Sequence, residues 1–166
     1  MIGAVPAFLL LLPMAACTRK TPPPPPPAQA PVLASAATPG RAQVAFTDLR
    51  AQTAEFIEYY KTIRLTPAQE KVKTDALSSI PAPCCSNFSA ATCCCACNFS
   101  KSLWGLTHYL IAKEGRTTDE VKSAALRWIA FTHPNGSSGH ACSTGGCNRP
   151  FSKDGCGGMQ DSDLRL

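Results

Sequence analysis

No dense run of basic residues occurs in this chain of 166 residues. Its formal charge of +5 is spread from Arg19 to Arg165, and aromatics, only 7% of the composition, are not interleaved with it. That distribution speaks against a nucleic-acid footprint and reads as solvated surface. Apolar runs are short as well: the sixteen uncharged residues MIGAVPAFLLLLPMAA fall below the roughly 20 needed for a bilayer-crossing helix. A second, separated C-x-x-C unit is missing, which removes the ordinary zinc-finger pattern. What the chain does have in excess is proline, 15 residues, and cysteine, 10 residues.

The apolar opening is followed at once by Cys17, Thr18, Arg19 and Lys20, which reads as an export signal over residues 1–16. Met14-Ala15-Ala16-Cys17 resembles the lipobox of bacterial lipoproteins. That resemblance implies that Cys17 is lipidated, becomes the mature N-terminus and attaches the protein to a membrane. Thr18, where an acidic residue often marks inner-membrane retention in such proteins, then points to the outer membrane and a periplasm-facing domain. The alternative is an ordinary secretory signal cut near Ala16, with Cys17 an incidental thiol. Residues 17–43 hold six consecutive prolines at 22 to 27 and more at 31 and 39. In polyproline II the six form a semi-rigid spacer of about 19 Å, suited to holding a domain off a surface.

The folded domain is expected over residues 44–166, mainly α, as about four short helices with two Cys-rich irregular segments packed together. Phe46, Leu49, Phe56, Ile57, Tyr60 and Ile63 recur at helical spacing and predict a first helix over 48–63. Thr66-Pro67-Ala68-Gln69 is a capping box opening a second helix from Pro67 to Ser79, which stops before Pro81. A third is expected from Lys101 to Lys113, capped by Ser100 and closed by Gly115. Thr117 with Glu120 opens a fourth, from Thr118 to Phe131. Leu103, Leu106, Leu110, Val121, Ala125, Leu126, Trp128 and Ile129 are the candidate core, opposed by Phe56, Ile57, Tyr60, Val72 and Leu77. Trp104 is placed either with them or over the cysteines. The two irregular segments are 81–99 and 133–160, and strand content should be low. Asn-Phe-Ser occurs at 87 to 89 and again at 98 to 100, which reads as two similar turns with phenylalanine anchors.

Once Cys17 is set apart, nine cysteines remain: Cys84, Cys85, Cys93, Cys94, Cys95, Cys97, Cys142, Cys147 and Cys156. An exported protein meets an oxidising compartment, where an even number is expected, so at least one thiol is left over. Neighbouring Cα atoms lie 3.80 Å apart, whereas disulfides usually need at least about 4.4 Å, so vicinal cysteines must find partners elsewhere. If 93–97 is extended, Cys93, Cys95 and Cys97 share a face and Cys94 points away; if helical, Cys93 and Cys97 share one. Convergent thiols suit a soft metal ion such as Cu(I) or Zn(II), and His140, beside Cys142 and Cys147, is a further candidate ligand. Cys94, Cys97, Cys142 and Cys147 are expected to act as one unit.

A disulfide-stapled interaction module without metal remains an alternative. A mixture of bridges and metal thiolates would accommodate the odd count. A third reading, a thiol–disulfide oxidoreductase using Cys94-x-x-Cys97, lacks the preceding strand that such motifs use, and no other catalytic set stands out. His108 reads as a boundary residue of the third helix, while His133 flanks the glycine-rich loop near the cysteines. Pro83-Cys84-Cys85 and the cluster from Cys93 to Cys97 also faintly resemble bacterial lipoproteins with a compact P-C-Y-C-G-C motif. That likeness implies a cysteine-rich envelope protein and transfers no catalytic residue.

Overall fold

The computed structural model of the chain describes residues 42–166; Cys17, the apolar opening and the proline tether lie outside the described residues. The fold is mainly helical: α1 (Leu49–Thr62), α2 (Pro67–Leu77), α3 (Asn98–Ala112) and α4 (Thr118–Thr132), with a two-stranded antiparallel pair of β1 (Pro81–Ala82) and β2 (Cys85–Ser89). Both capping boxes form. Thr66 accepts from the Gln69 amide and Thr117 from the Glu120 amide, and each long side chain returns to the cap backbone. At the head of α1 the Asp48 carboxylate accepts from the Ala51 amide.

Helix α1 packs on α3, while α2 packs on α4 and on α3. Gly105 sets the closest approach, because a Cβ there would lie 1.7 Å from the Phe56 carbonyl oxygen and 2.8 Å from the Tyr60 nitrogen. Glycine is therefore required for contact rather than for conformation. Around that crossing an aromatic core closes: the Phe56 and Trp128 rings meet edge to face at 4.9 Å, and Phe46 reaches Trp128 at 5.1 Å. The buried indole of Trp128 donates to the Ser102 hydroxyl at 3.1 Å, so its one polar atom is satisfied. Leu77, Leu103, Leu106, Leu110 and Val121 complete the core.

Some side-chain expectations differ from the structure and one is decided by it. Leu126 is 47% exposed, since the apolar side of α4 runs through Val121, Ala125 and Trp128 and leaves position 126 outside it. Trp104 takes the first of its two expected places, packing against the core near Tyr60 and donating to the Ala90 carbonyl. The two Asn-Phe-Ser triplets also diverge: the first lies in β2 with Phe88 exposed, the second opens α3 with Phe99 buried. The same three residues thus serve an edge strand in one place and a helix start in the other, decided by what packs on them.

Helix α3 begins at Asn98, three residues before its expected start, and its N-cap is Cys97. Ser100 instead donates to the Cys95 and Cys97 carbonyls. The first amides of α3, which have no partner within the helix, are taken by a distant stretch: Asn98 donates to the Gly158 carbonyl at 2.9 Å and Phe99 to that of Cys156 at 3.1 Å. The buried Asn98 side chain also donates to the Gly157 and Gln160 carbonyls. Lys101 adds an ion pair with Asp161 at 2.7 Å, and Lys61 of α1 reaches the same carboxylate at 2.7 Å. The second irregular segment is thereby docked on the head of α3.

Candidate metal centre

The two Cys-rich segments meet through their backbones before their sulfurs meet. The Ser86 amide donates to Gly139, the Gly139 amide to Pro83 and the Cys142 amide to Cys84, at 2.8, 3.1 and 3.0 Å. Gly139 has φ +72, and a Cβ there would lie 2.8 Å from the Ser86 Cβ, so this turn accepts only glycine on both conformational and steric grounds. Further on, the Cys156 amide donates to Gly146 and the Gly158 amide to Cys147, folding the loop back beneath the same cluster. His133 fastens the loop to α4: its buried Nε2–H donates to the Gly155 carbonyl at 3.1 Å, one residue before Cys156.

Residues 93–97 are irregular, and their exposure alternates: Cys93 and Cys97 are buried, Cys95 is half-buried and Cys94 is exposed. The chain bends at 94 and 95, so it is neither the extended nor the helical arrangement considered from sequence. Cys94 does not point into empty solvent, however, because its Sγ lies 3.1 Å from that of Cys142 across the segment boundary. Other sulfur pairs are Cys84 and Cys93 at 3.5 Å, Cys95 and Cys142 at 3.9 Å, and Cys142 and Cys156 at 3.9 Å. Four ligands around zinc at about 2.3 Å would stand about 3.8 Å apart, a spacing that the two 3.9 Å pairs match, while Cys94–Cys142 and Cys84–Cys93 are tighter.

Four groups of thiols have all their sulfurs within 4.8 Å of one another: Cys95, Cys142, Cys147 and Cys156; Cys84, Cys93 and Cys94; Cys84, Cys97 and Cys156; and Cys85, Cys94 and Cys142. Each of the nine cysteines among the described residues belongs to at least one group. His140 belongs to none and is exposed. Of the four expected to act as one unit, Cys142 shares one group with Cys147 and another with Cys94, while Cys97 shares a group with none of the three and is linked to them through Cys84 and Cys156.

Proton affinity is uneven across the cluster. Cys97 is held low as the acceptor for Cys156, Cys84, Cys93 and Cys95, and its position at the head of α3 favours the thiolate further. Around it Cys84, Cys93 and Cys95 are pushed up, chiefly by hydrogen bonding to Cys156, Cys84 and Cys97 respectively, and by burial. Burial works against ionisation of Cys94, but Cys142, Cys85, Cys95 and Cys93 outweigh it and hold this thiol low. Cys142 is pushed up to about 12 by burial and then by Cys94. Sulfurs this close resist ionising together unless a cation offsets their charge.

The arrangement separates Cys94 from Cys97. Cys94 pairs with Cys142, and Cys97 lies with Cys84 and Cys156, so the C-x-x-C is divided between neighbouring groups. It is Cys97, fully buried, that occupies the helix head.

No family model, curated protein or solved structure matches this chain.

Proposed function

We propose that the protein is a cell-envelope lipoprotein, tethered through Cys17 and the proline spacer, whose thiol cluster binds or buffers a soft metal ion such as Cu(I) or Zn(II). The observation that carries this reading is the gathering of nine thiols from two distant segments into groups of three and four at coordination distance. Thiolate sulfur selects soft ions over Mg(II) and Ca(II), and a bound cation would relieve the mutual repulsion of the ionised sulfurs. Export supports a role at the surface where incoming metal is first met. In that compartment, metal coordination also competes with oxidation for the same sulfurs.

The close Cys94–Cys142 and Cys84–Cys93 pairs favour a second reading, a disulfide-stapled interaction module. Intact mass of protein prepared from the periplasm, under native and denaturing conditions and with and without reductant, distinguishes the two. A metal-binding protein retains a stoichiometric ion natively and exposes three or more thiols once denatured without reductant. Four disulfides and no metal would overturn the proposal.

A further inference from the structure

The four thiol groups are not separate. Cys142 belongs to the groups of Cys147 and Cys85, Cys94 to those of Cys85 and Cys93, Cys84 to those of Cys93 and Cys97, and Cys156 to those of Cys97 and Cys147. Followed in that order, the sharing returns to its starting point. Four residues each stand between two groups, and five, Cys85, Cys93, Cys95, Cys97 and Cys147, belong to one group each.

From this closed pattern we propose that the nine thiols build a single tetranuclear Cu(I)–thiolate ring, with Cys84, Cys94, Cys142 and Cys156 as bridging ligands. The inference rests on the soft-metal reading above and adds the number of ions, their class and the division of labour among the sulfurs. Thiolate sulfur has lone pairs enough to join two metal ions. Three of the four groups offer only three donors, a number that suits trigonal Cu(I); a structural zinc ion takes four, and only the group of Cys95, Cys142, Cys147 and Cys156 supplies them. At a bond length near 2.3 Å, three sulfurs around one ion stand about 4 Å apart, inside the 4.8 Å that bounds every group. Each ion displaces the thiol protons of its ligands, and copper stays in the Cu(I) state throughout.

The ring also has an inner and an outer side. Cys84, Cys93, Cys97 and Cys156 are buried, whereas Cys94 is exposed and Cys85, Cys95, Cys142 and Cys147 are half-buried. Ions enter at the edge formed by Cys85, Cys94 and Cys142 and pass to the inner groups through the shared sulfurs. Filling one group fixes donors of both its neighbours, so the four ions load together.

The test is native mass spectrometry of the full chain, reduced and kept anaerobic, titrated separately with Cu(I) under a competing chelator and with Zn(II). The expected result is four Cu(I) with little of the one-, two- and three-ion forms, against one Zn(II). Cys142→Ser, which removes a bridge, should lose at least two of the four copper ions and the all-or-none loading. Cys93→Ser, which removes a ligand of one group, should lose at most one. A plateau below four, four ions filling one at a time, or equal losses in the two variants would overturn the ring. A plateau of one ion leaves the soft-metal reading standing without the ring. Failure to retain either metal removes both. Wild-type stoichiometry decides the ion count even where a variant misfolds.

Discussion

The helices and the cysteine-rich loops are held by different physics. In the helices, ordinary local signals agree with packing: capping boxes open α2 and α4, and the Phe56–Trp128 contact lies beside a crossing fitted to Gly105. The loops at 81–97 and 133–166 have little of this. They are positioned by single backbone bonds, such as Cys142 to Cys84, by the His133 clamp and by side chains on the head of α3. Of their nine cysteines, Cys84, Cys93, Cys97 and Cys156 are buried alongside Phe151 and Ala141. The difference teaches that a conventional core can hold a thiol-rich region in place, and on the metal-binding proposal it leaves part of the stability to be supplied after folding by a bound ion.

The largest expected effect breaks the loops and spares the helices. Chelator added to the metal-loaded chain removes a contribution that for structural zinc is of order 10 kcal/mol. Amide exchange should rise sharply across 81–97 and 133–166, while the amides of α1 and α3 at the Gly105 crossing keep their protection. If the loops remain protected in chelator and open only in reductant, disulfides hold them.

A change in the other half should do the reverse. Gly105→Ala forces a methyl against the Phe56 carbonyl and must push α1 away from α3, costing at least about 1–3 kcal/mol. The denaturant midpoint should fall while the number of metal ions bound per folded molecule stays the same. An unchanged midpoint would show that α1 can shift without loss, and that the helical core is looser than its packing indicates.

The smallest effect is a pH slope within the helices. His108 is buried, with its Nδ1–H donating to the Ile63 carbonyl at 3.0 Å and its Nε2 facing the Lys73 ammonium at 3.3 Å, so the ring is neutral. Burial and then Lys73 hold its pKa below the usual value, helped by Arg64 and opposed by the Ile63 carbonyl and Glu70. For a histidine depressed on folding, its stabilisation is complete above the unfolded value near 6.5 and is lost as pH falls through the folded one. Thermal unfolding of metal-free protein should therefore lose stability as pH falls below about 6.5, and His108→Gln should flatten that slope. An equal slope in the variant would assign it to His133, whose pKa burial also lowers.

What was legible in the sequence follows the same division. The four helices and most of the core could be read because caps and apolar spacing act within a few residues, as at Thr66 with Gln69 and Thr117 with Glu120. The start of α3 could not, because its amides are capped by Gly158 and Cys156, and no local pattern around Ser100 announces a partner some 60 residues away. Convergence of the thiols was readable from their density and alternation. Which sulfur stands beside which was not, since the Cys94–Cys142 contact depends on the bonds between Ser86 and Gly139 and between Cys142 and Cys84. His140 looked like a ligand by its spacing, but the turn around Gly139 leaves it outside the four groups.

The capping of α3 by Gly158 and Cys156 has a consequence in time. During synthesis the sulfurs at 84–97 leave the ribosome before the residues that will enclose them. At about 5–20 residues per second, roughly 3–12 seconds pass before Gly158 follows Asn98 out. For that interval six thiols lie on a growing chain whose third helix has no lid on its first turn, and any oxidant or metal ion nearby meets them unsheltered. Translation order thus sets a window of vulnerability, and a cell making this protein gains by keeping the nascent chain reduced until the downstream carbonyls arrive.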